Sequence, residues 1–202
     1  MSYILRLLTV LYLILFALPS FALTMDEIST KFRSQKIVHS EFIMTKHIAS
    51  ITKPLVSKGT MLASLQHGIV WAQSVPFAMR FIMQNDKMVQ IVNNNKPVVI
   101  TAKSSPQMFH FNSLLQSLFV ADKAVIEKNF AVDFKSEGKS FSIDLKPLIS
   151  PLDKVFSKIV IHGSDFIDSI RLEDTQGDST EVKFVNQKSL DSLKGYDELF
   201  NY

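Results

Sequence analysis

The chain contains no cysteine. This excludes a disulfide framework, a thiol nucleophile and thiolate ligands for zinc. It also excludes lipid attachment at an N-terminal cysteine. Glycine is scarce: the six glycines (Gly59, Gly68, Gly138, Gly163, Gly177 and Gly195) stand singly, so no glycine-rich loop is available to cradle a phosphate. No G-x-S-x-G elbow occurs. The five histidines, His39, His47, His67, His110 and His162, show no metal-binding spacing and read as scattered surface residues. Charge of one sign is nowhere concentrated. The net charge of +3 and pI near 9.0 arise from a thin excess, whereas a nucleic-acid binder gathers Lys and Arg on one face. Asp165 with Asp168, and Asp174 with Asp178, are the carboxylate pairs available for acid–base chemistry; the second reads more simply as a hairpin turn. No catalytic residue, metal site or cofactor is expected, and the chain does not read as an enzyme.

Long hydrophobic runs are also lacking, with one exception. After Arg6, residues Leu7 to Leu18 are apolar apart from Thr9, and Pro19-Ser20-Phe21-Ala22 follows. This run is too short for a membrane span, which needs about 20 apolar residues. A basic start, an apolar middle and small residues at Ser20 and Ala22 are the parts of a secretory signal. Residues 1–22 are therefore expected to be a cleaved signal peptide, with residues 23–202 forming one exported domain large enough for a full core.

Thr24-Met25-Asp26-Glu27 reads as a capping box, opening a short helix to about Ser34 on which Met25, Ile28 and Phe32 share a face. Alternation then predicts strands over Ile37–Ile48, Val56–Ser64, Ile69–Ser74, Phe77–Gln84, Met88–Asn93 and Pro97–Thr101. Ser105 to about Lys128 reads as helix, with Pro106 at its first position and Asp122 opening a second segment. Met108, Phe111, Leu115, Leu118 and Phe119 give an apolar stripe. Strands resume at Phe130–Ser136, Ser140–Lys146, Lys158–His162, Ile167–Asp174 and Thr180–Val185, with a helical turn at Leu152–Phe156 and a weakly helical tail from Ser189. The fold class is α+β: about eleven antiparallel strands in a bent or unclosed barrel, covered by short helices.

Several strands carry one very greasy face. Phe77, Met79, Phe81 and Met83 alternate with polar or smaller neighbours. Phe130, Val132 and Phe134 oppose Asp133 and Lys135; Phe141, Ile143 and Leu145 oppose Ser142, Asp144 and Lys146. On any one strand this is the pattern of an ordinary core. The chain also holds 16 Phe and eight Met, side chains that fill irregular volumes and suit adaptable binding surfaces. A bent sheet under short helices leaves room for a cavity. Its expected lining is Phe42, Met44, Leu62, Trp71, Phe77, Met79, Phe81 and Met83, with Phe111, Leu115 and Leu118 in the lid; Trp71 reads equally as a core anchor.

Gly59-Thr60-Met61-Leu62, Gly68-Ile69-Val70-Trp71 and Pro76-Phe77, followed by Leu145-Lys146-Pro147, Ile159-Val160-Ile161 and Ile170-Arg171-Leu172-Glu173-Asp174 with Gly177-Asp178-Ser179-Thr180, resemble the LolA-type outer-membrane lipoprotein carriers in order and spacing, from about Met25 to Val185. The resemblance implies an unclosed antiparallel half-barrel with a helical lid, located in the periplasm. It implies a monomer that takes lipoprotein acyl chains from an inner-membrane ABC-type releasing complex and passes them to an outer-membrane acceptor. That acceptor carries a lipidated cysteine, so the likeness is to the carrier. The family's arginine in the loop after the glycine-led strand, linked to lid closure, is replaced here by Leu65. This departure resembles a divergent branch found with glycolipid or polyene-lipid assembly, so such a lipid is the alternative cargo. A non-transporting module whose interior is filled by its own side chains is a further reading, and a hydrolase the least supported.

Overall fold

The structure is a computed structural model that describes residues 23–93 and 95–201. The expected signal peptide, residues 1–22, lies outside the described residues. Helix α1 (Met25–Ser34) begins with the anticipated capping box: Thr24 Oγ1 accepts from the Glu27 N–H at 3.2 Å, and Glu27 Oε2 accepts from the Thr24 N–H at 2.7 Å. Six strands follow: β1 (Ile37–His47), β2 (Leu55–Ser64), β3 (Gly68–Val75), β4 (Met79–Met83), β5 (Lys87–Val92) and β6 (Val98–Thr101). Then come α2 (Pro106–Phe119) and α3 (Lys123–Asn129). The second half runs β7 (Phe130–Glu137), β8 (Ser140–Pro147), α4 (Leu152–Val155), β9 (Phe156–Gly163), β10 (Ile167–Asp174) and β11 (Ser179–Ser189), ending in a 3₁₀ turn at Asp197–Phe200.

Among the described residues, eleven strands form one antiparallel sheet in the order β6-β5-β4-β3-β2-β1-β11-β10-β9-β8-β7. Two meanders are joined where β1 pairs with β11, and the sheet stays open, with β6 and β7 at its edges. The chain must therefore cross from one edge to the other between β6 and β7. That crossing carries α2 and α3, and α2 packs Leu114 and Leu118 into the same core as the strands.

Directly opposed residues of an antiparallel pair share a face, so the register identifies the inner face, the one that meets the helices. One rung runs Met44, Val182, Ile170, Ile161, Ile143, Phe134 across six strands. Phe32 of α1 packs edge-on against Phe141 of this face at 5.8 Å between ring centres. The outer face of β1–β5 carries a second, smaller core of Ile37, Leu62, Val70, Ile82 and Val89. The segment after β11 covers it with Leu193 and Phe200.

Two glycines permit this arrangement. A Cβ on Gly59 would stand 2.0 Å from the Ala72 carbonyl oxygen, so β2 and β3 approach closely only without a side chain there. Gly68 turns into β3 at φ +98°, which glycine adopts without strain.

The element order matches expectation, with local differences. The strand expected at Phe77–Gln84 is confined to Met79–Met83, and β11 runs four residues past Val185, to Ser189, because it pairs with the full length of β1. Ser105 makes no side-chain cap bond to α2. Asp122 does cap α3, accepting from the Val125 N–H at 3.3 Å. The break between the two helices falls at Ala121, whose φ is +47°. The tail is helical only over its 3₁₀ turn; Leu190 and Leu193 pack as irregular chain.

Candidate binding cavity

A cavity of about 340 Å³ opens at the end of the sheet that carries the β2–β3 and β9–β10 turns. Strand alternation supplies its apolar wall: Met61 and Ala63 from β2, Ile69 from β3 and Phe184 from β11. Phe32 closes it from α1, and Phe119 from the last turn of α2. Arg33, Lys36, Gln116, Asp122 and Gln187 supply its polar and charged rim, and Leu65 lines the cavity as well. The volume lies near the low end of the roughly 300–1,000 Å³ usual for small-molecule sites.

The rim is held by defined bonds. Arg33 Nη2 donates to Asp122 Oδ2 at 2.7 Å, tying α1 to the cap of α3. Lys31 bonds the Asp165 carboxylate, which holds that acid below its ordinary pKa. The Leu65 N–H donates to the Lys36 carbonyl at 3.1 Å, placing these two residues side by side.

Next to the cavity the described rings pack on one another. Phe42 and Trp71 stack at 3.7 Å between centres, Trp71 meets Phe184 edge-on at 6.4 Å, and Phe119 meets Phe184 edge-on at 6.0 Å. Edge-on and stacked pairs of this kind add about 0.5–1.5 kcal/mol each beyond their area burial. Trp71 is thus built into the core through its neighbours.

The residues expected to line a cavity are distributed differently. Phe42, Met44, Trp71 and Met83 lie on the inner face, in or against the main core. Met79 and Phe81 share that face on β4 by register with Gln73 and Trp71, half-buried. None of these six lines the cavity. Leu62 is a correction: it points to the outer face, into the second core, because it alternates with Met61, which faces inward. Phe77 is a second correction. It precedes β4 and is 47% exposed, since the strand starts only at Met79. Of the residues expected in a lid, Leu118 is buried in the main core. The side chains of Phe111 and Leu115 lie outside the described residues.

The cavity walls Met61, Ala63 and Phe184 escaped sequence reasoning, although a usable signal existed. Counting outward from the Leu65–His67 turn pairs Ser64 with Gly68 and Met61 with Trp71, so Met61 must share the face of Trp71. The contribution of Phe32 had no such signal, because it depends on where α1 settles.

Helix α2 is tethered at its middle. Asn112, 2% exposed, donates through Nδ2 to the Gln84 carbonyl at 3.3 Å, and Gln84 Nε2 donates to the Phe200 carbonyl at 3.3 Å. Asn112 Oδ1 has no protein partner.

Among the described residues no group of three or more His, Asp and Glu is placed to hold a metal ion, and no helix is long and apolar enough to cross a membrane. The family model described as "Outer membrane lipoprotein carrier protein LolA-like" matches residues 17–185. The chain belongs to this LolA-like family. Members of the LolA-like family are carrier and binding proteins rather than enzymes, which agrees with an open antiparallel sheet and a cavity with an apolar wall. A search of curated proteins found no match. Among solved structures, the chain is similar to a LolA superfamily protein from Nitrosomonas europaea, with TM-score 0.48 and 10% identity over 90% of this chain and 99% of that one. It is also similar to an outer membrane lipoprotein-sorting protein domain from Vibrio parahaemolyticus, with TM-score 0.43 and 11% identity over 88% and 97%. A third is a chain of the MucA/MucB complex from Pseudomonas aeruginosa, with TM-score 0.39 and 9% identity over 88% and 60%.

Proposed function

We propose that this LolA-like protein is a periplasmic carrier whose residues 23–202 form a single domain, released from a signal peptide at residues 1–22. It shields acyl chains of lipoproteins during their transfer from inner to outer membrane. An inner-membrane releasing complex and an outer-membrane acceptor serve as its partners. The observation that carries this reading is the apolar cavity between the sheet and helices α1 and α2. A 16-carbon chain left in water costs on the order of 12 kcal/mol, so a soluble escort needs such a compartment.

Leu65 favours a second cargo, a glycolipid or polyene lipid, because the rim presents an aliphatic side chain, 44% exposed, where lipoprotein carriers have arginine. The stacked Phe42 and Trp71 favour a third reading, an interaction module that transports nothing.

A fluorescent fatty-acid probe separates carriage from the interaction module. The wild-type protein binds it, and Ala63→Phe, which fills the cavity from its wall, weakens binding at least about tenfold. A probe that stays free with the wild type overturns the carrier function. Equal binding by Ala63→Phe overturns the cavity as its site.

A further inference from the structure

We propose a second binding surface, separate from the cavity: the three neighbouring hairpin ends β1–β2, β3–β4 and β5–β6 dock the protein on a lipid bilayer that carries anionic headgroups. This goes beyond the carrier reading and does not depend on what the cavity holds.

Topology brings the three connections together. In the order β6-β5-β4-β3-β2-β1 they all leave the sheet at the end opposite the β2–β3 turn, where the cavity opens. Six strands about 4.8 Å apart spread them over roughly 24 Å. The β1–β2 hairpin stands out furthest from β3. Its strands pair out to Lys46 with Leu55, whereas β2 and β3 pair only as far as Lys58 with Val75. It therefore extends three residues, about 10 Å, past β3. Ile51, Leu55 and Val56 on this hairpin, Val75 and Phe77 on the next, and Val98 at the start of β6 are 42–57% exposed. They are six of the twelve large apolar side chains left exposed among the described residues, and at the end where the cavity opens Leu65 alone is of this kind. Exposed apolar side chains scattered singly are ordinary, but a gathering at one end marks an interaction surface.

Charge selects the partner. Counted by region, the expectation of an even spread fails: residues 42–121 hold seven Lys and Arg against one acid, Asp86, while residues 122–202 hold 11 against 15 Asp and Glu. An asymmetry of this kind between parts of a chain points to a charged partner. Asp86 lies between β4 and β5, at the other end of the sheet. The three hairpin ends therefore carry Lys46, Lys53, Lys58 and Lys96 with no acid of their own. Lys53, Lys58 and Lys96 are exposed and form no ion pair among the described residues. Lys46 reaches Asp178 of the adjacent β10–β11 turn at 3.9 Å. The two carboxylates of that turn are engaged locally. Asp174 Oδ1 accepts from the Gln176 and Asp178 N–H groups, and Asp178 Oδ1 accepts from the Ala49 N–H. Apolar tips set among unpaired ammonium groups match an anionic bilayer in both respects. Hydrocarbon takes the tips and headgroup phosphates meet the lysines, whose stems lie along apolar surface while their charge stays in water.

Co-sedimentation of the mature protein, residues 23–202, with two kinds of vesicle tests this: pure phosphatidylcholine, and phosphatidylcholine mixed with phosphatidylglycerol. The anionic vesicles bind at least about tenfold tighter, and added salt weakens that binding. Leu55→Ser with Phe77→Ser, both at exposed positions, weakens binding to the anionic vesicles at least about tenfold. Lys53→Gln with Lys58→Gln and Lys96→Gln brings it down to the phosphatidylcholine level. Val185→Ser, an exposed apolar position in the middle of β11, leaves it unchanged, and circular dichroism checks that every variant is folded. No binding to either vesicle, or equal binding to both, overturns the proposal. Binding that survives both sets of substitutions, or that falls as far with Val185→Ser, overturns the assignment to the hairpin ends. Self-association lost in the Leu55 and Phe77 variant, with vesicles ignored, makes the surface an interface between copies and overturns the bilayer as its partner. None of the substituted side chains lines the cavity, so the fatty-acid probe binds the variants as it binds the wild type, and the carrier function is judged separately.

Discussion

Strands β7–β10 and strands β2–β5 belong to one sheet, yet they bury their side chains on different plans. In β8, Phe141, Ile143 and Leu145 are buried while Ser142, Asp144 and Lys146 between them are not; β9 repeats this with Ile159 and Ile161. One face is covered there, and the other meets solvent. In β2, β3 and β5 consecutive residues are buried: Met61 with Leu62, Ile69 with Val70, Met88 with Val89. The helices cover one face and the tail covers the other. The doubly covered half also supplies Met61, Ala63 and Ile69 to the cavity wall, where β10 and β11 meet it with Ile167 and Phe184.

If the two plans are real, the largest effect belongs to the inner core of the second half. Leu145→Ala, at a fully buried position, costs about 3–5 kcal/mol in urea unfolding. Leu193→Ala, in the peripheral tail, costs about 2 kcal/mol, because that thin layer can settle into the space. Hydrogen exchange then shows lost protection at Ile82 and Val89 with β8 and β9 unaffected. Equal costs, or loss of protection throughout, would dissolve the distinction between the halves.

A smaller effect is expected from pH, and only in the doubly covered half. His39 lies on the outer face, 5.4 Å between ring centres from Tyr196 of the tail. Burial holds its pKa below the ordinary 6.5, and Lys188 adds to this while Glu41 opposes it. A depressed histidine is neutral in the folded state, so its contribution is complete above about pH 6.5. It declines as the pH falls toward the folded-state value, because the unfolded chain takes up the proton first. Tail protection factors, taken relative to the intrinsic exchange rate at each pH, therefore fall on acidification, and His39→Gln flattens the dependence. A tail indifferent to pH in the wild type would remove His39 from this role.

The smallest effect is at the rim. Arg33→Ala removes an exposed ion pair and changes stability by less than about 1 kcal/mol in thermal unfolding. A larger loss would mean that the α1–α3 bridge is part of the core.

The same contrast decides what the sequence made legible. Strands β7–β10, with one wet face, show their inner residues directly: Phe130, Phe141, Ile143 and Leu145 alternate with charged or hydroxyl neighbours. The capping box at Thr24 and the helix opening at Asp122 were legible for a similar reason, since each depends on a few adjacent residues. In β2 both parities are apolar, so alternation alone cannot separate Met61 from Leu62. The second core that claims Leu62 is completed by Leu193 and Phe200, more than a hundred residues away, and no local pattern announces it. The cavity sits where α1, α2 and five strands converge, and its walls follow from that convergence.

The hydrogen bond at the middle of α2 bears on how firmly that helix is held to the sheet. Asn112 keeps one amide group satisfied by Gln84 and the other without a protein partner. An orphaned buried oxygen costs about 1–3 kcal/mol, while the single bond that ties the helix down is worth about 0.5–1.5 kcal/mol. Raising the helix would sever the weaker term and release the larger one to solvent. Counted at Asn112 alone, lifting the helix costs little; the burial of Leu114 and Leu118 in the main core is what holds it against the sheet.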